Sequence, residues 1–220
     1  MTSFSRLSMD EYLVRADVAI HNALNEPEIL AALTPFGYDE TALQAGADLL
    51  AEAEALHRAQ QAEYAEQYTA TEALERAWDA ARDIYMQHLA LARIAFRDDR
   101  ETYRFLGLEG RRKRSFAGWV EQAETFYTHL LETPDVLAAF RDRFPLEPSV
   151  FEDGLAQVEA LMEYNRIQEQ KKSAAQQATK DRDAAFVALD AWLRDYRAVA
   201  KIALQGQPQK LEALQFGAVA

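Results

Sequence analysis

Glu54 and His57 stand three positions apart, so on a helix both side chains leave the same face. A carboxylate and an imidazole placed this way can share a metal ion, and Glu-x-x-His is the spacing of carboxylate-bridged di-iron bundles. Such a centre needs a second Glu-x-x-His and two further glutamates. In the internal alignment of the chain the equivalents of Glu54 and His57 are Met162 and Asn165, which supply neither. None of the other histidines, His21, His88 and His129, follows a glutamate at that spacing. The metal reading rests on Glu54 and His57 alone, beside a plain alternative in which His57 is a polar member of a helix-packing seam.

Two further groups invite a chemical reading. His57, Gln60 and Tyr64 lie on one helical stripe, and Asn165, Gln168 and Lys172, with Arg182 beyond them, lie on a second. Facing each other, they would line a polar pocket for a small ligand. The bland reading is a hydrated or register-setting stretch between two helices. Arg111-Arg112-Lys113-Arg114 is a tight basic cluster, suited to phosphate or an acidic partner. It also follows a helical segment, where cations interact with the helix dipole.

No glycine-rich phosphate loop, His-Glu-x-x-His or nucleophile elbow occurs, and no cofactor is implied. With no cysteine, thiolate metal sites, disulfides and cysteine nucleophiles are excluded. The net charge of −12 repels nucleic acid and anionic lipid over most of the surface. The charge is uneven. Residues 1–110 hold 20 acidic and 9 basic side chains, and residues 111–220 hold 16 and 15. No apolar run is long enough to span a membrane, and no secretory signal follows Met1–Arg6, so a cytoplasmic protein is expected.

The elements that position these residues follow from composition and repetition. Glycine is 8, proline 6 and alanine 41 of 220 residues, which favours helix and disfavours the many turns of β and α/β folds. Shifted by 108 positions, the chain matches itself from Phe36 onward. Phe36 meets Phe144, Gly46 meets Gly154, Arg58 meets Arg166, and Ala70-Thr71 meets Ala178-Thr179. Upstream the shift is 107, and Pro27-Glu-Ile-Leu-Ala-Ala32 meets Pro134-Asp-Val-Leu-Ala-Ala139. Two tandem repeats are expected, 1–110 and 111–220, related by a pseudo-two-fold axis in one intertwined unit.

Each repeat has the same plan. An amphipathic helix (about Met9–Asn25 or Ala117–Leu131) precedes a short proline-opened helix, Pro27–Leu33 or Pro134–Phe140. Loops holding Pro35 and Gly37, or Pro145 and Pro148, then lead to the main element. Neither glycine nor proline occurs from Ala47 to Leu106 or from Leu155 to Gln205. A heptad seam runs through each span, apolar at its ends (Leu43, Leu50; Phe151, Val158) and polar in its middle. Short pieces at Asp99–Leu108 and Gln207–Phe216 close the repeats, stopping at Gly107 and Gly110 or at Gly217.

Two folds fit. One is an all-α bundle with two very long, coiled-coil-like helices, each roughly 80 Å at about 1.5 Å per residue, with a polar waist. The other is a compact up-down bundle of helical hairpins turning at Thr69–Thr71 and Gln177–Thr179, with Thr71 and Thr179 as N-caps. The unbroken heptad phase favours the long helices. Aromatics such as Trp78, Trp119 and Tyr85 fall at helical spacing and are expected in the core. The expected function is a non-enzymatic helical scaffold, acting on a protein partner or on itself as a homodimer. It involves neither nucleic acid nor membrane insertion. A small-ligand- or metal-binding bundle is the alternative.

Overall fold

The computed structural model describes residues 7–216, and every regular element among them is helical. In chain order these are α1 (Met9–Asn25), α2 (Pro27–Leu33), α3 (Glu40–Ala95), α4 (Arg100–Phe105), α5 (Phe116–Glu132), α6 (Pro134–Arg143), α7 (Pro148–Ala203) and α8 (Pro208–Ala213). A 3₁₀ turn, Thr34–Phe36, links α2 to α3. Among the described residues no helix is long and apolar enough to cross a membrane. Met1–Arg6 and Gly217 lie outside the described residues.

Three of the four helix pairs related by the 107 and 108 shifts have equal lengths, and the fourth does not: α2 has 7 residues and α6 has 10. Helices α1 and α5 have 17 residues each, α3 and α7 have 56 each, and α4 and α8 have 6 each. Local chemistry sets the boundaries. Ser8 caps α1 in a capping box: Glu11 N–H donates to Ser8 Oγ (3.2 Å), and Ser8 N–H donates to Glu11 Oε2 (3.0 Å). Asp99 caps α4 by accepting from the N–H groups of Glu101 and Thr102. Pro148 was placed in the loop before the main element. It is instead the first residue of α7, a position where proline's missing N–H has no helical acceptor to lose.

The long spans are single helices, and the threonines show why no hairpin forms. Thr69, Thr71 and Thr179 do not cap a new helix. Each hydroxyl donates to the carbonyl four residues earlier, Ala65, Gln67 and Ala175 respectively, inside an unbroken turn.

The chain divides into two compact units, each drawing segments from both sequence repeats. The first joins Met1–Tyr64 to Ala174–Ala220, and the second is Ala65–Ser173. The unit boundaries fall within the polar stretch of each seam.

In the first unit Ala16, Ile20 and Ala23 of α1 pack with Ile29 and Leu33 of α2, Leu43 and Leu50 of α3, and Leu189 and Tyr196 of α7, all buried. Each large apolar side chain so buried stabilises by about 1.5–3 kcal/mol, which polar seam residues do not provide. Helices α3 and α7 run antiparallel here, with Trp192 against Gly46 and Phe186 against His57. The Tyr196 hydroxyl donates to the Ala19 carbonyl (3.0 Å), and Asn22 Nδ2 donates to the Ala213 carbonyl (2.8 Å), tying α8 down.

The second unit builds its core from Trp119, Phe126 and Tyr127 of α5, Phe140 of α6, Phe151 and Leu161 of α7, and Tyr85 and Leu89 of α3. Again α3 and α7 are antiparallel, with Lys171 paired to Glu66 and Phe151 against His88. His129, the equivalent of Asn22, sits with Nδ1 2.6 Å from the Phe105 carbonyl and stacks on the Phe105 ring at 4.2 Å. Helix α7 approaches α5 closely at Gly154, where an added Cβ would come within 2.6 Å of the fully buried Tyr127 ring.

Helices α4 and α8 end in the same left-handed turn. Gly107 has φ +63°, and Leu108 N–H donates back to the Tyr103 carbonyl (3.0 Å). Its equivalent is Gln215 at φ +58°, with Phe216 N–H donating to the Leu211 carbonyl (2.9 Å). A glutamine Cβ is strained where glycine is not. Gln215→Gly is therefore expected to stabilise the protein by about 0.5–1 kcal/mol, seen as a raised urea midpoint with unchanged m.

His88 is 5 % exposed, with Nδ1 3.0 Å from the Tyr127 hydroxyl. Burial holds its pKa below the usual histidine value. The unfolded chain therefore takes up a proton near pH 6.5 that the folded chain resists, so stability falls as pH drops below that value. Urea midpoints should decline between about pH 7.5 and 5.5, and His88→Gln should flatten that slope.

Candidate functional site

Glu54 and His57 do not close on a common point. Glu54 pairs with Arg58 one turn along its own helix (3.7 Å). The His57 ring is 9 % exposed and packs edge-on against Phe186, with Nε2 3.2 Å from Asp10 Oδ1 and 3.1 Å from the Gln61 amide nitrogen. Its Nδ1 is buried without a partner. Among the described residues no three histidine, aspartate or glutamate side chains come together as metal ligands would.

The two polar stripes belong to different units. His57, Gln60 and Tyr64 lie in the first, and Asn165, Gln168 and Lys172 lie in the second. Gln60, Asn165 and Gln168 are half-buried, Tyr64 is exposed, and Lys172 pairs with Glu169 on its own helix (3.3 Å). Neither set lines one of the larger surface pockets.

The basic cluster does line one. Arg111, Arg112, Lys113 and Arg114 form the link between α4 and α5, and they close on Trp78, Arg82, Met86 and Arg93 of α3 and Trp119 of α5 around a pocket of about 660 Å³. Trp119 lies in the core of the second unit and Trp78 packs half-buried against it, as their helical spacing implies; both also line this pocket, with Arg82, Met86 and Arg93, which stand out less in the sequence. The signal was present, because 78, 82, 86 and 93 share one face of a helix.

The four basic residues have different tasks. Arg112 is structural as well as charged. Its Nη1 donates to the Tyr85 hydroxyl (2.8 Å), and its Nη2 donates to the carbonyls of Gly107 (3.0 Å) and Glu109 (2.6 Å). Arg93 works from the other side, donating to the carbonyls of Leu108 (2.9 Å) and Gly110 (3.0 Å). Two guanidinium forks thus gather the carbonyls that follow α4, where the helix end is electronegative. Burial pushes the Tyr85 hydroxyl pKa up, and Arg112 partly opposes it. Lys113 pairs with Glu121 (2.5 Å), holding that carboxyl below its usual range. Arg111 and Arg114 are exposed, and among the described residues neither has an ion-pair partner.

The aromatic wall is rigid. Trp78 meets Phe116 edge-on at 5.1 Å and Trp119 at 6.1 Å, and Trp119 meets Tyr85 at 5.6 Å. A second pocket, about 610 Å³, occupies the first unit and is lined by Leu7, Tyr12, Phe186, Asp190 and Arg194 among others.

Removing the Arg112 fork strands the Tyr85 hydroxyl and two carbonyls. Arg112→Ala is expected to lower stability by about 1–3 kcal/mol in urea unfolding, and Arg112→Lys to recover only part, because an ammonium cannot reproduce the fork. No protein-family model matches this chain, and comparison with curated proteins and with solved structures finds no match.

Proposed function

We propose that the protein is a non-enzymatic helical interaction protein that associates with a second copy of itself. The observation that carries this reading is a shallow groove of about 470 Å³ in the second unit. Small residues of α3 (Ala65, Ala70, Ala73) form its floor, and Tyr164 and Ile167 of α7 form its wall. Small residues let a second helix approach closely, and the wall supplies aromatic and branched surface for it to cover.

Tyr164, in the wall, is 39 % exposed and offers aromatic surface for a partner to cover. The rim holds one anion and one cation, Glu66 and Lys171, paired with each other, so it sets no net charge against a second copy meeting it about a two-fold axis. Among the described residues the lining is mostly small and apolar, which suits a contact surface.

Sedimentation equilibrium at concentrations up to about 100 μM should show a mass rising toward twice the chain mass, as expected for a weak homodimer. The doubly substituted Thr69→Glu/Tyr164→Glu protein places charge on two exposed positions of the groove. It should dissociate at least about tenfold more readily while keeping its helical circular dichroism. A mass that stays monomeric across the range overturns the reading.

A further inference from the structure

The pockets of the two units occupy equivalent places in the sequence repeats. With the 107 and 108 offsets, Leu7 corresponds to Arg114, Tyr12 to Trp119, Phe186 to Trp78, Asp190 to Arg82 and Arg194 to Met86, and each of these residues lines its pocket. One cavity has been built twice and given two different linings.

The difference lies in where the negative charge comes from. In the first unit the Asp190 carboxylate lies beside the Tyr12 hydroxyl, where with burial it raises the hydroxyl pKa, and it pairs with Arg194 (3.6 Å). That pocket carries its own carboxylate. In the second unit the Asp190 position holds Arg82, and the Tyr12 position holds Trp119, a donor only. Trp119 is 3 % exposed, and its Nε1 is buried without an acceptor. The Trp78 indole Nε1 and the Arg112 guanidinium Nε are in the same state. Three buried donors without acceptors thus belong to residues that line one pocket.

Charge leads to the same place. Six cations line the pocket: Arg82, Arg93, Arg111, Arg112, Lys113 and Arg114. Among the described residues only Arg82 and Lys113 have carboxylate partners, Asp79 and Glu121. Arg93 and Arg112 donate to neutral oxygens, which satisfies their hydrogens and leaves their charge uncompensated. In a protein of net charge −12 this is a local reversal of field. The volume suits a small molecule, and the indoles and Met86 offer it apolar and flat surface.

We infer that the pocket between α3 and the α4–α5 link binds a small organic oxyanion, a carboxylate or phosphate carried on an apolar or aromatic body. Its anionic group takes the place that the Asp190 carboxylate fills in the other unit. Arg111 and Arg114, exposed and unpaired, make the entrance cationic. Arg93, Arg112 and the indoles form the inner wall. This site is independent of the self-association groove, which none of these residues lines.

The chain has three tryptophans, and the third, Trp192, belongs to the first unit, so the indole N–H resonances of ¹⁵N-labelled protein contain their own control. Phenyl phosphate and phenylacetate, titrated at low salt, should move the Trp78 and Trp119 indole peaks saturably and leave Trp192 unmoved. Benzyl alcohol, which has the ring without the charge, should move none. Inorganic phosphate should move the same two peaks more weakly than phenyl phosphate. Arg111→Ala/Arg114→Ala should weaken both aryl anions by about tenfold or more. Arg82→Asp restores an internal carboxylate at the Asp190-equivalent position and should abolish the response. Arg97→Asp, an exposed charge change outside the pocket, should not alter it. Retained helical circular dichroism and an unshifted Trp192 peak report that the variants are folded. No response of Trp78 and Trp119 to either aryl anion overturns the inference. So does an equal response of Trp192, an equal response to benzyl alcohol, or full binding by Arg82→Asp.

Discussion

The structure depends on covering the apolar ends of the seams on α3 and α7. A 56-residue helix satisfies its backbone internally, but the backbone gives little net stability to a helix in water. What holds each end is burial of Leu43 and Leu50, or of Phe151 and Leu161, beneath shorter helices that have no stable existence alone. Each compact unit therefore takes α1 and α2, or α5 and α6, as its cover. It closes with a short C-terminal helix, α8 or α4. The unit boundaries follow the seams, because polar residues such as Gln60, Asn165 and Gln168 offer no apolar area to bury.

The two halves of the chain share an element order and differ in side chains both at the surface and in their pockets. Most element lengths match between the two halves, α2 and α6 excepted, and Asn22 and His129 reach equivalent carbonyls with different chemistry. At the ends of α4 and α8 one repeat keeps glycine in the left-handed turn and the other tolerates glutamine. The pockets diverge furthest. A tyrosine and an aspartate supply donor and acceptor in one unit, and a tryptophan and an arginine supply two donors in the other. A change of two residue types turns a cavity that carries its own carboxylate into one lined by cations.

The Arg111–Arg114 run shows how one motif divides its labour. Arg112 is half-buried and holds the link in place through fixed, forked hydrogen bonds, and Arg111 and Arg114 remain exposed. A cluster of like charges is costly to gather. Here the carbonyls after α4 stabilise the inner cations. The arginine-bound link is what brings the cluster against α3.

Much of the fold was legible in the sequence. Helix content, the repeat register and the short proline-opened helices follow from periodicity and from glycine and proline placement, which are local properties of the backbone. The choice between long helices and hairpins was less so, because a threonine hydroxyl can cap a helix or bond back within one. Only the surrounding packing decides which it does at Thr71 and Thr179. The candidate sites were the least legible. Glu54 and His57 share a face in sequence, yet Arg58 and Asp10 claim them separately. The basic cluster was visible as charge, but its pocket was not. Trp78, Arg82 and Arg93 come from a helix that precedes the cluster in the chain, and Trp119 comes from one that follows it. Periodicity tells which side chains share a face. Which faces meet, and which donors are left without acceptors, is a matter of tertiary packing, because it depends on distances between residues far apart in the chain.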